Sequence, residues 1–420
     1  MSQTVTGAVT AAVRDLVDDS DLRMIGLTMG GVYLVATLLA IAAGYDVGGI
    51  VNTLRAITVF AAGYGMLVLA LNLHWGYTGL FNIGVAGFMA IGTYVTAILS
   101  APPEVSPGAG LGLPIPIAVL GGMLAAAIAG VLTALPALKM RADYLAIVTV
   151  ALSEIIRLSI KSQTLAEVSV AGVTVGTGGG RGISYPAPSD AASWLIELVP
   201  GGTVLYPAGA AVGIARPVVT GLVYMLILVA FTAAFYWLLV QIGQSPFGRV
   251  LKAIREDELV ASALGKDTRI FKLKVFAVGC ALMGLGGYLW LGRSGFVNDL
   301  SFRPDITFFV FVALIIGGAG SNTGSVLGGI IFSGVLFYLP QFISQNFVRA
   351  ARAPDTFVEA LSGDLAGYLV ANISALRFVA IGVLLVWLMQ RRPEGILGHR
   401  IEAAAAIDLR GGRPEGPEDD

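Results

Sequence analysis

The chain has 420 residues, 56% of them apolar and 13% charged, with a mean hydropathy of +0.82 and a formal net charge of −1. A soluble domain carries about 25% charged residues, so this composition excludes an ordinary soluble globular protein. The near-zero net charge supplies no field for nucleic acid, and the single cysteine, Cys280, excludes an intrachain disulfide.

Residues 1–23 set Asp15, Asp18, Asp19 and Asp21 against Arg14 and Arg23. They lack the basic stretch and cleavage pattern of a signal peptide and are expected to form a cytoplasmic N-terminal segment. A spanning helix needs about 20 mostly apolar residues. Ten stretches meet or approach that length: Met24–Gly44, Leu54–Leu73, Leu80–Ser100, Pro114–Leu138, Ala142–Ile160, Pro217–Gln241, Leu273–Gly292, Ile306–Gly318, Gly324–Ser344 and Ile373–Gln390. Long apolar runs mean helices, since only helices and closed barrels satisfy their backbone in lipid. The expected fold is therefore all-α and polytopic, with a transmembrane domain over 24–391. Ile306–Gly318 is short enough to be half-length or re-entrant. Leu80–Ser100, interrupted by Gly84, Gly87 and Gly92, is a candidate for a broken helix.

Lys and Arg in the loops set the orientation. The Ser245–Lys274 region carries seven: Arg249, Lys252, Arg255, Lys266, Arg269, Lys272 and Lys274. Lys139 and Arg141 crowd the turn at 138–141, and Arg391, Arg392 and Arg400 follow the last span. Ten spans with a cytoplasmic N-terminus put all three clusters on the cytoplasmic side. The Gly- and Pro-rich loop 161–216 and the segment Gln345–Asn372 then lie outside. The tail 392–420 has little to bury and is expected to be cytoplasmic and mostly disordered.

Gly248 to Gly265 is densely charged inside an otherwise apolar chain. A helix starting near Pro246, with its φ preset by that proline, would lie outside the bilayer and offer a docking surface to a soluble partner. A plain solvated connector is the alternative. Glu154 and Arg157 share one face of a span, and charge in lipid is costly. They line a polar path or form a structural ion pair near the helix end. Catalytic and metal readings fare poorly. Gly265-Lys266 lacks the first glycine and the Ser/Thr of a phosphate loop. Gly292-Arg293-Ser294-Gly295 has no base near in sequence, and His74 and His399 are too far apart in sequence to suggest a metal motif.

An ordered set of motifs runs from Gly76 to Gly398. It comprises Gly76-Tyr77-Thr78-Gly79-Leu80-Phe81-Asn82-Ile83-Gly84, then Tyr144–Thr149 leading to Glu154-Ile155-Ile156-Arg157, then Thr177–Ile183. It continues with Lys252–Gly265, Gly317–Gly328 and Arg392–Gly398. The set resembles branched-chain amino-acid ABC importer permeases, the LivM-like half of the permease pair in particular. Asn82, Arg181 and Ser325 depart from the family's usual Ser, Asn and Pro. The resemblance implies a non-enzymatic, multi-pass subunit of a prokaryotic cytoplasmic (inner) membrane, with no cofactor or metal of its own. Its implied partners are a second permease subunit, two ATPase subunits that use ATP, and an extracytoplasmic substrate-binding protein. It implies ATPase coupling through the 244–272 loop, with Gly248, Arg249, Arg255, Glu256, Glu258, Ala261, Ala263 and Gly265 as contact residues. The substrate path is expected to use Asn82, Gly84, Thr149, Glu154 and Arg157. Urea or short amides are an alternative cargo, and a self-sufficient secondary transporter is an alternative class.

Overall fold

The computed structural model describes residues 19–103, 110–137, 142–170, 173–347, 368–369, 372–392 and 394–397. Most of the expected disordered tail 392–420, His399, Lys139 and most of Gln345–Asn372 lie outside the described residues, while 392 and 394–397 of the tail are described.

Helices coincide with all ten expected spans. They are α1 (Asp19–Ala42), α2 (Val47–Leu71), α3 (Val85–Ser100), α4 (Ile115–Ala137) and α5 (Ala142–Lys161). Two short antiparallel strands, β1 (Val168–Val170) and β2 (Val173–Val175), follow, then β3 (Ile183–Ser184), α6 (Asp190–Leu198) and α7 (Leu205–Ala211). The second half holds α8 (Arg216–Gln244), α9 (Pro246–Glu256), α10 (Glu258–Ala263) and α11 (Thr268–Trp290). It ends with β4 (Phe296–Val297), α12 (Asp305–Gly317), α13 (Asn322–Ile330), α14 (Leu339–Phe347) and α15 (Ile373–Arg391). Among the described residues, seven segments are long and apolar enough to cross a membrane, and Val85–Ser100 is a shorter apolar helix. The chain is an all-α multi-pass membrane protein.

The core gathers around α2, the most buried of the long helices. It packs on α8, α11 and α13, while α11 also packs on α3 and α4. Glycines permit the closest contacts, as expected where helix association rests on packing in lipid. A Cβ on Gly92 of α3 would overlap the backbone of Gly284 in α11. Helices α1, α4 and α8 turn most of their apolar surface outward, the arrangement of helices bathed in hydrocarbon.

Two expected spans are interrupted. Residues 80–84 are not helical and α3 begins only at Val85, so the expected break in Leu80–Ser100 falls at its start. Helix α12 has 13 residues, the half-length expected of Ile306–Gly318. The glycine-rich stretch 317–329 is a tight turn only over 318–321. Gly324 and Gly328 lie inside α13, where they let it close on Gly317 and Ala313 of α12. Departures from α-helical winding occur at Asn72–Gly76 and Ile331–Tyr338, both π-helical.

Contacts sort the connections onto two faces. On one, β3 pairs with β4 antiparallel (Ile183 opposite Val297), Tyr45 Oη donates to Asn346 Oδ1 at 2.9 Å, and Gly48 abuts Gly213. On the other, Thr323 Oγ1 donates to Asp21 Oδ2 at 3.0 Å, and Arg255 reaches the Gly76 carbonyl. There too the N–H groups of Ile396 and Leu397 donate to the Ile316 and Gly317 carbonyls at 2.9 and 3.0 Å. In a Cys280→Ala background, single cysteines at the exposed positions Arg181 and Glu256 should react with a membrane-impermeant maleimide from opposite sides. Labelling of both from one side would contradict this sorting.

Candidate functional site

The charged segment is two helices rather than one. Ser245 caps α9, its Oγ accepting from Gly248 N at 3.2 Å, and Pro246 occupies the first turn. Asp257 then leaves the helical path and becomes the cap of α10, its Oδ1 accepting from Leu259 N and Val260 N at 2.9 and 3.1 Å. An Asp with orphan N–H groups two and three residues on is a strong helix-start signal, and it sets the break. Gly265, at φ 77°, ends the pair in left-handed geometry.

Helix α9 buries Leu251 and Ile254. Phe247 stacks on Phe271 of α11 at 5.2 Å between ring centroids. Lys272 of α11 pairs with Glu258 at 2.5 Å. Arg249, Glu256 and Ala263 are exposed, whereas Gly248 and Ala261 are buried within the chain. Apolar exposure is concentrated instead at Leu259, 82%, Leu264, 74%, and Val260, 55%. Sequence reading had passed over these three. Their signal was apolar residues at i and i+5 in a charged run.

Arg255 points inward. It donates from Nη1 to the Gly76 carbonyl and lies against Gly320. Beneath it runs a buried chain of hydrogen bonds. Gly320 N donates to Asn72 Oδ1 at 2.8 Å, Asn72 Nδ2 to Asn322 Oδ1 at 3.0 Å, Asn322 Nδ2 to Tyr77 Oη at 2.8 Å, and Tyr77 to the Leu239 carbonyl at 3.1 Å. Asn72 and Asn322 are fully buried. Burying amides inside an apolar bundle is costly unless each is hydrogen-bonded, and these are.

A second cluster surrounds His74, also fully buried. Its Nδ1 lies 3.1 Å from Asn82 Nδ2 and its Nε2 lies 3.2 Å from the Val275 carbonyl, and its ring stacks on Phe276 at 4.7 Å. An amide nitrogen can only donate and a carbonyl can only accept, so the neutral tautomer with its proton on Nε2 satisfies both. Asn82 Oδ1 meanwhile accepts from Gly84 N at 2.8 Å. Thr149 Oγ1 accepts from Ile83 N at 3.0 Å, and Thr307 Oγ1 accepts from Ala86 N at 3.0 Å. Side chains from α5 and α12 thus satisfy N–H groups at the start of α3 that no preceding turn can reach.

Asn82, Gly84 and Thr149 are therefore brought together, buried, around the non-helical entry to α3. Glu154 and Arg157 are elsewhere. Arg157 pairs with Glu154 at 2.6 Å and with Asp299 at 3.0 Å, tying α5 to the 3-10 turn Asp299–Phe302. Asp299 was not singled out by sequence, and its side chain is only 4% exposed against 37% for Glu154. Among the described residues no group of three or more His, Cys, Asp or Glu side chains could hold a metal ion.

The ion triad makes an ordered prediction. Arg157→Leu strands the buried Asp299 carboxylate and should destabilise the fold by about 3–5 kcal/mol. Glu154→Gln removes an exposed partner and should cost about 1 kcal/mol or less. Thermal unfolding of the purified chain in detergent checks the order.

Comparison with known proteins places these features in a family. A model of the branched-chain amino acid transport system / permease component family matches residues 52–351. The chain is 34% identical over 279 residues to the high-affinity branched-chain amino acid transport system permease protein LivM of Escherichia coli, covering 64% of this chain and 59% of that protein. It is 29% identical over 311 residues to the "probable branched-chain amino acid transport permease protein LivM" of Methanocaldococcus jannaschii, covering 73% of this chain and 78% of that protein. A LivH permease of Salmonella typhimurium is 34% identical over 94 residues, 21% of this chain and 29% of that protein. The match spans less than two thirds of the length of the enterobacterial LivM proteins. No solved structure matches the chain. With a family match across most of the membrane-embedded bundle, the chain belongs to the branched-chain amino acid transport system permease family, a family of transport components rather than enzymes.

Proposed function

We propose that this chain is one permease subunit of an ABC importer for branched-chain or related amino acids in a prokaryotic cytoplasmic membrane. The substrate class rests on the family and on the names of its relatives. A second permease subunit of the LivH kind, ATPase subunits that use ATP, and an extracytoplasmic binding protein complete the assembly in this reading.

The observation that carries ATPase docking is the α9–α10 pair. It offers Leu259, Val260 and Leu264 to solvent beside Arg249 and Glu256, on the face rich in Lys and Arg. Exposed aliphatic side chains with a charged rim suit a soluble partner's groove. Arg255, on the same helix, turns to the core and holds the Gly76 carbonyl. A push on α9 would thereby reach the π-helical end of α2 without an intervening flexible loop.

In liposomes the chain alone should not accumulate leucine under ion gradients. Accumulation there would favour a secondary transporter. The double variant Leu259→Ser, Leu264→Ser changes only exposed side chains. It should unfold at the wild-type temperature, yet retain ATPase subunits at least tenfold less well in a pull-down and lose ATP-driven transport. Full retention with normal transport would make α9–α10 a solvated connector.

A further inference from the structure

On the face opposite α9–α10, a cavity of about 560 Å³ lies between α2, α8 and the turn after α11. Three arginines line it: Arg55 from α2, Arg216 at the start of α8, and Arg293. No Asp or Glu lines it. Among the described residues none of the three arginines forms an ion pair, since the pairs present belong to Arg157, Lys272 and Arg303. Arg55 Nη2 donates to Asn52 Oδ1 at 2.7 Å, Arg293 Nη1 donates to the Trp290 carbonyl at 2.9 Å, and Arg216 lies 4.4 Å from the centre of the Tyr206 ring. These neutral partners leave each positive charge uncompensated.

The crowding of like charge is built in. Arg55 and Arg293 line the same cavity, and Arg55 Nε is buried with no hydrogen-bond partner. Gly221 of α8 makes the room: a Cβ there would overlap the Arg55 guanidinium. Arg55 and Arg293 are half-buried and Arg216 is exposed, so three positive charges without a carboxylate partner meet at the mouth of the cavity, an arrangement that an anion would complete. The start of α8 opens on the same space and adds the positive end of a helix dipole. The remaining wall is apolar, with Val59, Phe60, Pro217 and Tyr224. A cavity of this size suits a small ligand with an apolar body and a few fixed polar contacts.

The geometry points to a carboxylate-binding vestibule in which Arg55, Arg216 and Arg293 hold the carboxylate of an apolar amino acid and the Val59–Phe60–Tyr224 wall receives its side chain. This rests on the permease reading and gives it a site. It also sets a selectivity that the reading alone does not. With no carboxylate in the lining, the site has no charged partner for the ligand's ammonium group. Ligands should be sorted by whether they carry a carboxylate, whether or not they carry an amine. Neutral cargo such as urea gains nothing from three uncompensated cations.

The test is displacement of tritiated leucine from the full-length chain in nanodiscs of phosphatidylcholine alone. Unlabelled leucine and 4-methyl-2-oxopentanoate should both displace it, and leucinamide should not. Arg55→Gln and Arg293→Gln should each weaken leucine binding about tenfold to a hundredfold, the loss expected for a hydrogen bond to a charged group. Adding phosphatidylglycerol asks whether a lipid phosphate is the true anion; displacement of leucine by that lipid at stoichiometric amounts would overturn the proposal. It also fails if wild-type chain holds no leucine, if leucinamide competes as well as leucine, or if both arginine variants bind normally. The wild-type selectivity stands without any variant, so misfolding of a variant cannot rescue or sink it. No ATPase is needed, so a chain that fails in coupled transport yet sorts ligands by carboxylate loses the proposed importer role and keeps the vestibule.

Discussion

Backbone that leaves the helical path inside an apolar bundle must find its hydrogen-bond partners within the protein, because no water is there to supply them. In this chain that constraint falls on residues 72–86, from the π-helical end of α2 to the first turn of α3. The solution draws on several other elements. Thr149 of α5 and Thr307 of α12 accept from the N–H groups of Ile83 and Ala86, and Arg255 of α9 donates to the Gly76 carbonyl, while Asn322 of α13 and the Leu239 carbonyl of α8 bond the side chains of Asn72 and Tyr77. The packing of the bundle and the irregular segment therefore specify one another. Removing any one of these partners leaves a donor or acceptor stranded where stranding is most costly.

The same segment lies between the α9–α10 surface and the arginine-lined cavity. Arg255 contacts it from the α9–α10 side. The helix that enters it, α2, carries Arg55 near its other end, in the arginine-lined cavity. The deeply buried α2 links them, with π-helical winding at its Asn72–Gly76 end. Such local rewinding inside a helix is common at functional sites, since it offers an alternative hydrogen-bond register at small cost.

Much of the architecture was legible in the sequence, and the reason is hydropathy. Every expected span coincides with a helix because lipid-facing and core-facing residues are alike apolar and the runs are long. Pro246 and Gly265 marked the limits of the charged segment correctly, since each has a local conformational role. Asp257 could have revealed the break between α9 and α10, but the continuous charge pattern masked it. The partners of His74 were not legible. Asn82 is close enough in sequence, but Val275 and Phe276 are some two hundred residues on, and only the fold brings them together. Arg55, Arg216 and Arg293 carry no shared motif for the same reason. Ala261, a coupling contact implied by the family resemblance, is buried within the chain.

The backbone bonds from Ile396 and Leu397 to the last carbonyls of α12 bear on how the gene is handled. A half-length helix ends there, and its terminal carbonyls would otherwise face a crowded turn where Gly395 presses on Gly318. The residues just past α15 act as a cap supplied from a distant part of the chain. A purification tag spliced in directly after Arg391 would remove that cap while leaving every spanning helix intact. One placed beyond Leu397 would keep it. Position within an apparently dispensable tail thus decides whether a fusion is silent or opens the end of α12.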